Sequence, residues 1–72
     1  MDIENPDQSI AEARANLSEL LASTRLLKRV YFLTSRGKRQ AAVMPTELGE
    51  AVLAIGGVEV ALKLLQQQPA GE

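Results

Sequence analysis

The sequence predicts an α+β fold, and three observations predict it. A capped amphipathic helix begins at Ser9, two strand-like runs flank the dipeptide Arg36-Gly37, and helically spaced apolar residues return after Pro45. In chain order we expect a short N-terminal strand, a helix, a β-hairpin, a helix and a C-terminal helical segment. With 72 residues the chain forms one domain at most.

The N-terminal strand has the weakest signal of these elements. Ile3 alternates with polar neighbours, as in a short strand, and Pro6 would place that strand at a sheet edge or end it. The first helix has the clearest signal. Ser9 and Glu12 have the spacing of a capping box, in which each side chain bonds the other residue's backbone N–H. Helical spacing continues through an apolar stripe of Ile10, Ala13, Leu17, Leu20, Leu21 and Thr24.

The end of this first helix stays open. Residues 25–28 are compatible with a last helical turn or with a loop into the next strand. Arg29 to Ser35 is rich in β-branched and aromatic residues and predicts that strand. Both of its faces are largely apolar, so we expect one to be covered by the first helix and the other by a second chain.

The dipeptide Arg36-Gly37 predicts a hairpin turn, because glycine accepts the positive φ that tight turns need. Arginine suits the position before glycine less well than Asn or Asp, so we expect a loop of three or four residues. Gln40 to Met44 then predicts an antiparallel return strand.

Pro45 ends the return strand, and Thr46 is the expected N-cap of the next helix. Its apolar stripe comprises Leu48, Ala51, Val52 and Ile55. Gly56-Gly57 ends it. Val58 to Gln68 predicts a last helical segment, although residues 58–60 also fit the start of a strand.

Charge is distributed in three blocks. Residues 20–46 contain six bases and no acid, for a charge of +6, whereas residues 1–19 carry −4 and residues 47–72 carry −3. The net charge of −1 therefore hides a cationic middle block, which favours a polyanionic partner.

Composition restricts the chemistry further. There is no Cys and no His, so thiol nucleophiles, imidazole bases and ordinary zinc sites are excluded. We expect a protein that is not an enzyme and has no catalytic residue, metal or cofactor. No stretch approaches the roughly 20 apolar residues that span a bilayer, and the acidic N-terminus is unlike a signal peptide. A cytoplasmic location without membrane contact is expected.

A homodimer is expected from size and composition. The chain is too short to bury a large core, yet 46% of its residues are hydrophobic. The residues expected in the core or the dimer interface are Leu17, Leu20, Leu21, Val30, Phe32 and Val43.

Two segments, SIAEARANLSELL and FLTSRGKRQAAVMPTE, together resemble the N-terminal domain of the Phd/YefM antitoxin family. The resemblance covers roughly residues 9–52 and rests on the order and spacing of the motifs. It implies an α+β dimer that binds the operator DNA of its own operon, with a C-terminal segment that neutralises a toxin. We therefore expect a dimerising DNA-binding domain over residues 1–57 and a toxin-binding segment over residues 58–72.

The resemblance also assigns residues. It places DNA contacts at Arg14, Arg36 and Lys38, and the cationic block adds Arg39, Lys28 and Arg29 as phosphate contacts. The expected toxin-binding residues are Val58, Val60, Leu62, Leu64 and Leu65. These five residues also fit a last helix folded back on the same domain, although the short chain leaves little core for their apolar face, which favours a partner.

The chain departs from the family pattern in three ways. Its first strand is less apolar, Ser35 stands where a base is common, and the tail beyond Gly57 is short and apolar. Two other functions therefore stay open. One is a stand-alone dimeric DNA-binding regulator, and the other is a protein-interaction module that binds no DNA and has a merely solvated basic turn.

Overall fold

The computed structural model describes residues 2–67 and confirms the predicted α+β class. A three-stranded sheet has the strand order β1-β2-β3, with β1 parallel to β2 and β3 antiparallel to it. The strands are β1 (Asp7–Ser9), β2 (Tyr31–Ser35) and β3 (Lys38–Val43). The helices are α1 (Ile10–Ala15), α2 (Leu17–Leu27), α3 (Thr46–Ala54) and α4 (Val58–Gln66).

The N-terminal strand lies later in the chain than Ile3 suggested. Ile3 occupies a turn, and β1 starts at Asp7, directly after Pro6. The Gln8 side chain is buried, and its Nε2 donates to the carbonyls of Asp2 at 2.7 Å and Asn5 at 2.8 Å. A buried amide with both protons bonded holds the preceding turn against the strand.

The first predicted helix is two helices, which corrects the prediction of one. Ser9 caps α1 as expected, because its Oγ accepts from the Glu12 backbone N–H at 3.1 Å. At Asn16 the side-chain amide and the backbone N–H both donate to the Glu12 carbonyl at 3.0 Å. An asparagine side chain that competes for helix carbonyls ends α1 here. α2 then runs to Leu27, so residues 25–27 form its last turn.

The hairpin loop has two residues, so the expected longer loop was wrong. Ser35 pairs directly with Lys38, and both Arg36 (φ 54°) and Gly37 (φ 76°) adopt positive φ, as a type I′ turn requires. The strand pairing carries one irregularity. Leu33 pairs with Ala41 and Thr34 with Arg39, so Gln40 is an extra residue and forms a β-bulge.

The core lies between the sheet and the first two helices. Leu20 and Tyr31 are the largest fully buried side chains, with Ala13 beside them, and Leu33 and Val43 pack against this cluster. The Tyr31 hydroxyl donates to the Ile3 carbonyl at 2.7 Å. Because that hydroxyl has one proton, Ser23 Oγ is the donor in its 2.6 Å bond to Tyr31.

The predicted core-or-interface residues divide into two groups. Leu20 is confirmed as core, Val43 flanks it, and Phe32 is half-buried. Leu17, Leu21 and Val30 are exposed on the single chain. A dimer interface at those three residues stays a prediction.

After β3 the described chain forms two helices, α3 and α4, joined by residues 55–57. α3 has Pro45 as its N-cap and no side-chain cap bond, so the prediction of Thr46 as N-cap was wrong. α3 ends as predicted, in a Schellman motif. The Gly56 N–H donates to the Leu53 carbonyl at 3.2 Å, and the Gly57 N–H donates to the Val52 carbonyl at 2.8 Å. Residues 58–60 begin α4, which excludes the strand alternative. Gln68, the predicted end, lies outside the described residues. No helix within residues 2–67 is long and apolar enough to cross a membrane.

Candidate functional site

Two exposed bases stand at the tip of the hairpin. β1 runs parallel to β2 and continues directly into α1, so α1 starts at the same end of the sheet as the turn. A shallow hollow there is lined by Ile10, Ser35, Arg36, Lys38 and Gln40. The tight turn holds Arg36 and Lys38 at the end of a rigid ladder, where a large anion can approach them.

Arg14 lies in the last turn of α1. It follows Ile10 by four residues on α1, and residues at that spacing are neighbours on one helix face. Ile10 lines the hollow at the hairpin tip. We call Arg36 and Lys38, which line the hollow, together with Arg14, one helical turn from Ile10, the tip cations. None of the three ion pairs found within residues 2–67 involves a tip cation.

The other three predicted DNA contacts each have a carboxylate partner. Lys28 Nζ is paired with Glu47, and that hydrogen bond holds the pKa of the Glu47 carboxyl below its usual value. Arg29 donates to the Ile3 carbonyl at 2.7 Å and lies 3.4 Å from the Glu4 carboxylate. Their role as phosphate contacts stays a prediction, and a phosphate would compete with these partners.

Arg39 is the most firmly held of the paired bases. Its Nε lies 2.7 Å from Asp7 Oδ1 and its Nη2 3.3 Å from Oδ2, and its guanidinium stacks 3.9 Å from the centre of the Phe32 ring. The hydrogen bond lowers the pKa of Asp7 and raises the pKa of Arg39. Both side chains are about half exposed to solvent, so the pair positions Arg39 more than it stabilises the fold.

The two-residue turn decides the face on which Arg39 lies. Ser35 pairs with Lys38, so the next pair joins Thr34 and Arg39, and Arg39 lies on the same face of the sheet as Phe32 and Asp7. The bulge at Gln40 follows this pair and shifts the register of the residues from Ala41 onward. The face that carries Arg39 is the one opposite Tyr31 and the helices, so Arg39 points away from the core.

A second, chemically different surface lies between α3 and α4. Its walls are carbon side chains, Leu48, Val52 and Leu53 from α3 and Val58, Leu62 and Leu65 from α4, around a volume of about 520 Å³. We call it the α3–α4 groove. Three of the five predicted toxin-binding residues line it. Val60 instead packs beside Gly56, and Leu64 lies outside the groove with its side chain exposed.

α4 combines the two alternatives that the sequence left open. It folds back on α3, and Ala61 is buried there, yet Val58, Val60, Leu62, Leu64 and Leu65 all stay exposed. A last helix of its own domain thus retains an apolar surface large enough for a partner.

Several participating residues were missed in the sequence. Ile10 and Gln40 belong to the hollow at the tip, and Leu53 belongs to the groove. The segment LGEAVLA of α3 gives no sign in the sequence that one face of the helix stays uncovered. That face can be recognised only when the position of α4 is known. Within residues 2–67, no three Asp or Glu side chains cluster in a way that would hold a metal ion.

Comparisons with protein-family models, with curated proteins and with solved structures found no match for this chain.

Proposed function

We propose that the protein is a cytoplasmic antitoxin of a toxin–antitoxin pair, which represses its own operon by binding operator DNA as a dimer. In this proposal the C-terminal segment neutralises the toxin. The observation that carries it is that Arg36 and Lys38 line one hollow, with Arg14 one helical turn from its Ile10, whereas a separate apolar groove lies between α3 and α4. Two surfaces of opposite chemistry suit two partners, one a polyanion and one a protein.

The tip suits double-stranded DNA for physical reasons. A two-residue hairpin turn is narrow and stiff, and its bases can approach phosphates from outside the helix. The planar guanidinium of Arg14 or Arg36 can also bond the O6 and N7 atoms of guanine. A dimer presents each base twice, as the two half-sites of a palindromic operator require.

The paired bases have a smaller expected role in affinity. Lys28, Arg29 and Arg39 must give up a carboxylate before they gain a phosphate, so much of their attraction is already satisfied. We therefore expect the tip cations to neutralise about six phosphates per dimer. The logarithm of the association constant should then fall with the logarithm of salt concentration at a slope of about −5.

The DNA-binding part is tested by replacing two tip cations. Arg36→Ala with Lys38→Ala should weaken binding to the DNA upstream of the gene and reduce the salt slope by about 4, since four charges leave each dimer. The matched control is Arg25→Ala with Lys63→Ala, two exposed bases that take part in no ion pair within residues 2–67. Equal losses of DNA affinity in the two double variants would show that net charge alone governs binding.

The toxin-binding part is tested by removing the tail. A chain ending at Gly57 should keep DNA binding and lose the product of the neighbouring gene in co-purification. A full chain that binds the DNA but not that product would instead be a stand-alone regulator. A full chain that binds the product but no DNA would be a protein-interaction module.

A further inference from the structure

We propose that the α3–α4 groove receives a single apolar helix, flanked by basic residues, from a partner protein. This inference deepens the proposed function, and the identification of that partner with a toxin rests on it. The proposal differs from an antitoxin tail that inserts into its target, because here the antitoxin supplies the groove and the partner supplies the helix.

The lining of the groove requires an apolar occupant. Leu53 is 75% exposed and Leu65 is 66% exposed, although both face a concave surface lined by other aliphatic side chains. Burying aliphatic surface away from water is favourable in proportion to the buried area, so an aliphatic ridge gains most from this surface. A polar peptide would leave its own backbone and side chains without partners there.

The two edges of the groove are acidic. Glu50 precedes Leu53 by three residues, and Glu59 precedes Leu62 by three, a spacing that makes neighbours on a helix surface. Both glutamates are exposed, and neither takes part in an ion pair within residues 2–67. The one base on α4, Lys63, leaves the two helices with a net charge of −2. A basic flank on the occupant therefore complements the groove.

Other occupants fit less well. Residues 67–72, QQPAGE, contain no large apolar side chain that could fill the groove. A second copy related by two-fold symmetry would place the same patch against itself. The acidic edges of the two copies would then share one interface, and like charges across an interface cost affinity.

The dimensions suit a helix. α3 and α4 contain nine residues each, so the groove runs for about 13 Å. That length accommodates about two and a half turns, with anchors at positions i, i+3, i+4 and i+7 of the occupant. A helix so placed would complete a three-helix layer on the side of the molecule formed by α3 and α4.

The direct test uses two synthetic peptides of about 14 residues with the same leucine positions at i, i+3, i+4 and i+7. One peptide has Lys at its other positions and the second has Glu. Fluorescence anisotropy with the full chain should show the Leu/Lys peptide bound at least about tenfold more tightly than the Leu/Glu peptide. Equal affinities, or no binding of either peptide, would overturn the proposal.

Two substituted proteins locate the binding. Leu53→Gln with Leu65→Gln should reduce the affinity for the Leu/Lys peptide by about tenfold or more. The matched control, Leu26→Gln with Leu27→Gln, removes leucines that are 66% and 55% exposed on α2 and should leave that affinity within about twofold. Both changes affect exposed side chains, and circular dichroism checks that each variant keeps its helices.

A third pair tests the acidic edges. Glu50→Lys with Glu59→Lys should reverse the preference in favour of the Leu/Glu peptide, whereas Glu12→Lys with Glu19→Lys makes the same change of net charge elsewhere and should not. If both pairs reverse the preference, overall charge is responsible and the proposal fails.

Light scattering adds a further check, because a lower molar mass of the Leu53→Gln, Leu65→Gln protein would identify a second copy as the occupant.

The neighbouring gene product separates the two proposals. If it binds the full chain and the groove variant equally well, the groove inference fails and the antitoxin function stands. If it does not bind the full chain, while the Leu/Lys peptide binds and responds to the substitutions as described, the toxin partner fails and the groove inference stands.

Discussion

Arg36 holds a backbone conformation that arginine rarely adopts. Its φ of 54° lies in the left-handed region, where Cβ crowds the carbonyl of L residues at a cost of about 1–2 kcal/mol. Asn or Asp would fill this turn position more easily. A strained turn that keeps a long basic side chain at its tip is consistent with a binding role for that side chain.

Arg36→Asn should therefore separate stability from DNA binding. We expect the free energy of unfolding to rise by about 0.5–1 kcal/mol, because Asn tolerates positive φ. Affinity for the upstream DNA should fall at the same time, because a base is lost from each protomer. Urea unfolding and a gel-shift assay measure the two quantities, and a decrease in stability would contradict the strain argument.

Tyr31 is the second residue whose environment predicts a measurable effect. Tyr31→Phe keeps the ring in the core but removes the hydroxyl between Ser23 and the Ile3 carbonyl. We expect the free energy of unfolding to fall by about 1–3 kcal/mol, because Ser23 is left with a buried, unpaired hydroxyl. Combining Tyr31→Phe with Ser23→Ala should recover part of that loss in thermal unfolding, and an additive result would show that the two hydroxyls are independent.

At the scale of elements, Asp7 and Arg39 join the two outer strands across β2. The pKa of Asp7 is lowered in the folded protein, chiefly by its hydrogen bond to Arg39. The pair therefore contributes stability above the ordinary carboxyl pKa of 3.8, and this contribution is lost as pH falls through the lower, folded value.

The pH dependence of unfolding should report this pair. The stability difference between the protein and its Asp7→Asn variant should be present at neutral pH and should vanish below pH 3.8 as Asp7 becomes protonated. The urea midpoint, measured for both proteins across acid pH, gives the difference directly. A difference that stays constant with pH would mean that Asp7 acts through its shape and not its charge.

The joint between α3 and α4 depends on two glycines for different reasons. Gly56 has φ +120°, and a Cβ there would meet Val60 Cγ2 at 3.0 Å, whereas Gly57 has φ +102° and open space around it. Both Gly→Ala changes should destabilise by about 1–3 kcal/mol, because alanine is strained at these angles.

Gly56→Ala should cost more than Gly57→Ala, since only Gly56 has a close neighbour. In a Val60→Ala background, the loss of stability caused by Gly56→Ala should be smaller, whereas the loss caused by Gly57→Ala should be unchanged. Thermal unfolding of the two double-mutant cycles measures both couplings, and equal costs for the two glycines would exclude the contact with Val60.

Local signals in the sequence were enough for some elements. The Ser9–Glu12 spacing located the start of α1, and Gly56-Gly57 located the end of α3, because both features act within a few residues. The bulge at Gln40 has no local signal, since it depends on which residue of β2 each β3 residue meets.

The candidate site was predictable to a similar degree. The sequence shows six bases in residues 20–46 but does not separate Arg36 and Lys38 from the bases that have carboxylate partners. The partners of Lys28, Arg29 and Arg39 lie 19 to 32 residues away, so only the folded chain brings them together. The structure was therefore needed to show which bases of the block have a carboxylate partner.

At the scale of the whole molecule, the single chain leaves much apolar surface uncovered. Leu20 is fully buried, whereas its neighbour Leu21 is 48% exposed, and Leu17 and Val30 are exposed as well. Exposed apolar surface of this extent on a small domain usually marks a contact with another chain. This observation supports the proposed homodimer.

Leu20→Ala and Leu21→Ala should therefore behave differently. Leu20→Ala should cost about 2–5 kcal/mol at any protein concentration, because it leaves a cavity in the core. The loss of stability caused by Leu21→Ala should be small in dilute protein and should grow with protein concentration, because the dimer forms. Melting temperatures over a hundredfold range of concentration test this, and a concentration-independent Leu21→Ala effect would argue against a dimer through that residue.

The extra residue in β3 has a consequence for how this protein can change. Gln40 has no partner residue on β2, because Leu33 pairs with Ala41 and Thr34 pairs with Arg39. Deleting Gln40 would therefore leave these pairs in a regular ladder, with Arg39 still on the same face as Asp7 and Phe32. Position 40 is thus a place where β3 can lose a residue without turning its neighbours to the opposite face of the sheet.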